Sequence, residues 1–383
     1  MQKAYLAKTL KGLEEVLATE LIALGADNVE IQRRAVAFTG DQRLLYKANL
    51  HLRTALRILM PIYQFKAKNP DEIYKAVKQF DWEQYMDIKT NFAIDSTVFS
   101  EEITHSKFAT YRMKDGIVDW FRDKYNQRPS VKLTNPELQF NIHIAGEQCT
   151  ISLDSSGESL HKRGYRVAQN DAPISEVLAA GMLLMAGWKG ESDFVDPFCG
   201  SGTFLIEAAL IALNIAPGLY RSSFGFEKWK DFDKDLFDTL YQDDSEERPF
   251  EHRIYGFDID RKSIAISEKN IKSAGLMKYI DLEVRAVKDF EALSAKALMV
   301  TNPPYGERLN FRELTNTYAE LGTALKHKFT GNSAWVISSE YSLLDNIGLR
   351  PSKKIDLLNG SLDCKFHRYD IFAGKRKLFL SKP

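Results

Sequence analysis

Phe194-Val195-Asp196-Pro197-Phe198-Cys199-Gly200-Ser201-Gly202-Thr203 reads as an apolar strand that ends on an acid, turns through Gly-x-Gly and enters an apolar helix near Thr203. Glycines at such a turn let a ligand approach the backbone, and open sheets take their ligands at the C-terminal ends of the strands. No GK[ST] follows, so this is not a phosphate loop, and the third glycine of the dinucleotide fingerprint is missing. A bare Gly-x-Gly is often a plain turn, so the surroundings carry the weight. From about residue 185 onward, strand-like runs at 192–195, 253–257, 281–284, 297–300 and 334–338 alternate with helical runs, notably 203–213 and 263–274. That alternation predicts a parallel sheet covered on both faces. Residues 354–358 and 366–372 read as adjacent strands with no helix between them, which predicts an antiparallel hairpin at the sheet edge.

Upstream the pattern is different. Leu13, Val16, Leu17 and Leu21 have helical spacing, Gly25 is a stop, and Val36-Ala37-Phe38 is a strand closed by Gly40-Asp41, which together predict a small α/β unit over residues 1–65. A second unit over 66–155 has a helix at 73–79, a strand at 91–96 and a long helix at 105–125. The alternating strand 138–144 then turns at Ala145-Gly146-Glu147 into Cys149-Thr150-Ile151-Ser152-Leu153.

The strand ends of the third region carry chemistry. After the second strand, Tyr255-Gly256-Phe257-Asp258-Ile259-Asp260 offers an acid where a ribose diol is held, with Asp260 an N-cap for the next helix. After the third strand, Asp289 and Phe290 offer an acid and an aromatic suited to an adenine. After the fourth, Asn302-Pro303-Pro304-Tyr305 supplies amide and carbonyl oxygens beside two prolines that lack N–H donors, which suits an exocyclic amine; Tyr305 supplies a stacking face.

The 383 residues suffice for two or three domains, and 44% hydrophobic with 27% charged content is ordinary for a globular chain. No stretch approaches the roughly 20 apolar residues of a membrane span. Met1-Gln2-Lys3-Ala4-Tyr5 lacks a signal-peptide core, and a cytoplasmic location is expected. Cys149, Cys199 and Cys364 have no metal-ligand spacing, so neither disulfides nor structural zinc are expected. Net charge is zero, but residues 103–132 hold Lys107, Arg112, Lys114, Arg122, Lys124, Arg128 and Lys132 against Asp115, Asp119 and Asp123. Residues 347–383 are similarly basic. On residue type alone such runs, and Lys162-Arg163-Gly164-Tyr165-Arg166, read as solvated basic faces.

These motifs together resemble the class I S-adenosylmethionine-dependent methyltransferases, and more narrowly the THUMP-domain RNA guanine-N2 methyltransferases, including the bacterial 23S rRNA enzymes. The resemblance is carried by Lys162-Arg163-Gly164-Tyr165-Arg166, Ala172-Pro173-Ile174-Ser175-Glu176, DPFCGSGT (196–203), GFDID (256–260) and NPPYGERL (302–309). Ala216-Pro217-Gly218-Leu219 before Phe226-Glu227-Lys228-Trp229 matches the family's insertion after its first helix. It implies an α/β fold: a Rossmann-like methyltransferase domain with a mostly parallel seven-stranded sheet over 160–383, preceded by a ferredoxin-like domain (1–65) and a THUMP RNA-binding domain (66–155). It implies S-adenosyl-L-methionine across Asp196, Pro197, Gly200, Gly202 and Thr203, with ribose on Asp258, adenine near Asp289 and Phe290, and Asn302 at the reacting end. A flipped guanine would meet Asn302, Pro303, Pro304 and Tyr305. Lys107, Arg112, Lys114, Lys162, Arg163 and Arg166 would contact RNA, 23S rRNA rather than tRNA, and no metal is implied. One departure is Ala286, where the family often has an acid. A tRNA guanine-N2 enzyme, an adenine-N6 enzyme and a non-catalytic RNA-binding assembly factor are the alternatives.

Overall fold

The computed structural model describes residues 2–103, 105–170, 173–292, 296–305 and 310–372. In chain order its elements begin β1 (Lys3–Lys8), α1 (Glu14–Ala23), β2 (Asp27–Gln32), β3 (Ala35–Gly40), α2 (Gln42–His51), β4 (Arg57–Lys66), α3 (Pro70–Gln79), β5 (Phe92–Phe99), α4 (Ser106–Tyr125), β6 (Leu138–Ala145) and β7 (Gln148–Asp154). They continue α5 (Glu176–Met185), β8 (Asp193–Asp196), α6 (Thr203–Ala212), α7 (Lys234–Tyr241), β9 (Ile254–Asp258), α8 (Arg261–Ser273) and β10 (Ile280–Val284). The last are β11 (Ala297–Thr301), α9 (Phe311–Lys328), β12 (Ser333–Ser338), α10 (Tyr341–Asp345), β13 (Lys353–Asn359) and β14 (Leu362–Asp370).

The chain divides into two compact units. One comprises Met1–Thr9, Leu17–Leu160 and Arg221–Gln242; the other comprises Leu10–Val16, His161–Tyr220 and Asp243–Pro383. The first contains a single sheet in the order β2-β3-β1-β4-β7-β6-β5. Strand β4 pairs antiparallel with both β1 and β7, so the strands expected for two separate N-terminal modules form one continuous ladder. Its helices are begun by ordinary chemistry: Asn69 accepts from the Glu72 N–H at 3.0 Å ahead of Pro70, the first residue of α3. Residues 221–242 belong to this unit although they follow α6 in sequence. Their rings surround Tyr46, with Phe226 stacked at 4.4 Å and Phe237 edge-on at 5.8 Å. The Arg221 guanidinium donates to the carbonyls of Ser156, Glu158 and Ser159 at 3.2, 2.9 and 3.1 Å.

The second unit holds a sheet in the order β10-β9-β8-β11-β12-β14-β13. The first five strands are parallel, and β14 lies antiparallel between β12 and β13. The mostly parallel sheet and its terminal hairpin are therefore as the alternation implied, with each strand within one to four residues of its expected bounds. Every residue of α6 is buried, its apolar run broken only by Glu207, whose carboxylate is paired with Arg163. Gly256 in the middle of β9 makes that packing possible, because a Cβ there would lie 2.3 Å from Leu205 Cδ1 and 2.8 Å from Leu282 Cδ2. A core of Val195, Phe257, Met299, Tyr318, Leu321, Val336 and Tyr369 continues beneath the far half of the sheet. Leu13, from the short N-terminal piece counted with this unit, fills the space that the missing side chain of Gly181 leaves on α5; a Cβ there would come within 2.6 Å of it.

Candidate active site

Strand order reverses between β8 and β11, and at that switch point the two strand ends are joined by a buried hydrogen bond. Thr301, the last residue of β11, donates its hydroxyl to Asp196 Oδ1 at 2.6 Å, and the same oxygen accepts from the Phe198 N–H at 3.1 Å. Asp196 is 1% exposed and Thr301 fully buried. Burial pushes the Asp196 carboxyl up to about 7, against the two hydrogen bonds that favour its charged form. Among the described residues it has no ion pair.

The turn that follows is built on two left-handed residues. Gly200 has φ +53° and Gly202 φ +83°, and a Cβ on Gly202 would also come within 3.1 Å of Ser267 Oγ. Asp258 at the end of β9 accepts from the Gly200 N–H through Oδ2 at 3.0 Å and from the Asp260 N–H through Oδ1 at 2.9 Å. Burial raises its carboxyl as well. Asp260 is the N-cap of α8 that the sequence suggests, accepting from the N–H groups of Lys262 and Ser263, and these bonds hold its own carboxyl low. A buried carboxylate, Asp196, and a half-buried one, Asp258, thus bracket a glycine turn, and among the described residues neither has an ion pair. An S-adenosylmethionine-like ligand, with its cationic groups and its ribose hydroxyls, fits that donor set.

Asn302 follows Thr301 directly. Its Oδ1 is buried and has no hydrogen-bond partner among the described residues. A buried amide oxygen without a donor costs about 1–3 kcal/mol, so this atom is an acceptor suited to an incoming N–H. Tyr305 packs against the core around Tyr318, and its hydroxyl accepts from Asn359 Nδ2 at 2.8 Å, which anchors the end of the NPPY turn to β13. The remaining motif residues, 306–309, lie outside the described residues, as do Ala172 of the upstream motif and the basic stretch 373–383.

Family models match most of the chain. Residues 163–368 match the RMKL-like methyltransferase domain, residues 67–154 the THUMP domain and residues 4–59 the RlmL ferredoxin-like domain. The chain belongs to the RMKL-like methyltransferase family. This is a family of S-adenosylmethionine-dependent methyltransferases, the class the motifs resemble. Among its relatives, slr0064 of Synechocystis sp., provisionally named an RNA methyltransferase, is 40% identical over 97% of both chains. The ribosomal RNA large subunit methyltransferase K/L of Syntrophotalea carbinolica is 41% identical over 96% of this chain and 53% of its own. The chain thus spans about half the length of the K/L relatives. The solved structure of SMU.472, complexed with SAH, superposes with a TM-score of 0.87 at 30% identity, covering 98% of this chain and 99% of that one.

Within this RMKL-like fold, three expected roles need correction. Arg163 is 2% exposed and paired with the fully buried Glu207, to which Tyr165 also donates at 2.9 Å, so it does not face RNA. Arg166 is turned inward too. Its Nε meets Glu176 Oε1 at 2.8 Å, Nη1 donates to Ser201 Oγ at 3.1 Å, and Nη2 donates to Thr203 Oγ1 at 3.0 Å and the Ile174 carbonyl at 3.1 Å. It braces the glycine turn against the start of α5. Phe290 lies in the core, edge-on to Phe257 at 6.0 Å, and offers no free face to an adenine. Its neighbour Asp289 is exposed. Ile259, directly after Asp258 and 73% exposed, is the apolar surface at this strand end that the sequence reading passed over.

Of the other basic residues, Lys107 and Lys162 are exposed. Arg112 pairs with Asp71 and lies over the Tyr74 ring at 4.9 Å, and Lys114 pairs with Asp115 at 2.7 Å. Sequence reasoning also missed Asn270 on α8. Its Oδ1 accepts from the N–H groups of Val167 and Ala168 at 2.9 and 3.0 Å, and its Nδ2 donates to the Ser201 carbonyl at 2.9 Å. The face that α8 buries is mostly polar, Ser263, Ser267 and Asn270 beside Ile271, so no apolar periodicity in the sequence marks it. Among the described residues no helix is long and apolar enough to cross a membrane, and no cluster of His, Cys, Asp or Glu is suited to a metal.

Proposed function

We propose that this protein transfers a methyl group from S-adenosylmethionine to the exocyclic N2 amine of a guanosine in RNA, with 23S rRNA the substrate, and so works in the cytoplasm. The observation that carries the proposal is the buried Oδ1 of Asn302, without a partner among the described residues, one residue beyond the hydrogen bond between Thr301 and Asp196. The names of the K/L relatives support ribosomal RNA, and the THUMP match supports RNA over DNA.

When bound, S-adenosylmethionine supplies an electrophilic methyl group on a sulfonium. Asp196, Pro197, Gly200, Gly202 and Thr203 would hold it along the turn. Asp258 would accept from ribose hydroxyls, and the Ile259 side chain offers an apolar surface beside it. Asn302 Oδ1 and the Pro303 carbonyl would accept from the two N–H groups of the target amine and fix its lone pair in line with the methyl group. The N2–methyl bond would form as the methyl–sulfur bond breaks, S-adenosylhomocysteine would leave, and the surplus proton of the amine would pass to water because amide oxygens are too weakly basic to keep it; positioning and electrostatics would supply most of the acceleration. Pro304 stiffens the turn and Tyr305, tied to Asn359, fixes its far end.

The deciding experiment is mass spectrometry of nucleosides from separated ribosomal and transfer RNA of a strain lacking the gene. Loss of N2-methylguanosine from 23S rRNA is expected. Loss from tRNA would move the substrate, loss of N6-methyladenosine would move the target atom, and unchanged nucleosides in every pool would overturn the proposal.

A further inference from the structure

The bond between Thr301 and Asp196 spans the switch point and joins the strand that presents the donor turn to the strand that presents the acceptor turn. Both groups are buried, and the bond is short for a hydroxyl on a carboxylate, at 2.6 Å. The Phe198 N–H and the Thr301 hydroxyl both donate to Asp196 Oδ1, one from the turn and one from the adjacent strand, so the carboxylate is held from two elements at once. We propose that Thr301 is a positioning residue for methyl transfer, its hydroxyl fixing the Asp196 carboxylate in the orientation that meets the cationic part of the methyl donor. This rests on the functional reading above.

The surroundings make that hydroxyl consequential. Asp258 on β9 faces Asp196 and disfavours its charge, the Cys199 thiol lies in the turn between them, and β11 contributes a hydroxyl but no cation. A cationic ligand needs Asp196 ionised. Because the free carboxyl is raised to about 7, affinity for the ligand rises as pH climbs through that value, until the ligand's own ammonium group begins to lose its proton, a fall common to every variant. Valine has nearly the shape of threonine and no hydroxyl. In Thr301→Val, Asp196 loses a bond that favours its charged form, so the rising limb moves to higher pH.

The test is calorimetric binding of S-adenosylhomocysteine, whose α-amino group keeps the cation, to the full chain across pH for wild type, Thr301→Val and Thr301→Ser. The limb is expected to move up by about one pH unit in the valine protein, a loss of about fivefold at pH 7 that approaches tenfold at more acid pH. The two proteins should converge in the alkaline range, and serine should restore the wild-type limb. A valine protein weakened equally at every pH, or not weakened at all, overturns the assignment and leaves the functional reading standing. A wild-type chain that does not bind the probe overturns both. Thermal melting of each variant without ligand separates loss of fold from loss of orientation.

Discussion

At the scale of single residues, the site sorts acceptors by what already occupies them. Asn302 Oδ1 has no hydrogen-bond partner among the described residues, so Asn302→Ala removes an acceptor that they leave free. Turnover should fall about 10²–10³-fold, the usual loss for a preorganised polar contact in a reacting site. Calorimetry should show cofactor affinity within a few-fold of wild type; the reverse pattern would misplace the acceptor. Asp258 is different because it already holds the Gly200 N–H. Asp258→Ala should weaken cofactor binding by about 1.5–3 kcal/mol, with Asp258→Asn intermediate since one acceptor oxygen survives; equal affinities in all three would remove Asp258 from the site. Asp196 allows a pH test of stability. A carboxyl raised from 3.8 to about 7 by folding contributes stability below its unfolded value and loses it as pH rises through the folded one. Ligand-free Asp196→Asn should therefore melt above wild type in mildly alkaline buffer, with the gap closing toward acid. A gap that widened toward acid would contradict the burial argument.

At the scale of elements, the strands and helices of the second unit were legible because each follows from a local rule. Apolar runs of strand length ended on Asp196, Asp258 and Asn302, and Gly200 and Gly202 marked a turn that only left-handed residues complete. The basic motif was not legible, because charge suggests exposure and only the partner's position reveals otherwise. Glu207 lies 44 residues from Arg163 and Glu176 ten from Arg166, on helices whose facing could not be read from composition. Phe290 failed for the same reason: an aromatic after a strand points either to the ligand or to the core, and packing decides. A buried Arg166–Glu176 pair predicts its own signature. Arg166→Gln strands Glu176 and should cost about 3–5 kcal/mol of stability, read by urea unfolding. Arg166→Gln with Glu176→Gln should recover part of it. In a turnover assay the same single variant should raise KM for S-adenosylmethionine while leaving RNA affinity unchanged, the opposite of what a surface RNA contact would give.

At the scale of the whole molecule, the two compact units exchange chain. Residues 221–242 lie within the sequence of the methyltransferase domain but fold into the first unit, and residues 10–16 do the converse. Linear reading missed this because domain limits were drawn where secondary-structure patterns change, whereas packing partners need not be neighbours in sequence. A cut after residue 155 therefore does not release a clean methyltransferase core. It strips Tyr46 from a cluster in which Phe224, Phe226 and Phe237 are 2%, 0% and 8% exposed, and removes Leu13 from beneath Gly181. Each uncovered aromatic forfeits roughly 1.5–3 kcal/mol of burial and leaves an adhesive apolar surface. The 156–383 fragment should aggregate, or bind a hydrophobic dye and melt without a sharp transition. Replacing residues 221–242 of that fragment by a short glycine-serine loop should restore solubility but not the full chain's melting temperature, since the gap under Gly181 remains. A fragment that kept residues 221–242 and still melted sharply at the full chain's temperature would mean that the aromatic insertion draws its stability from within itself.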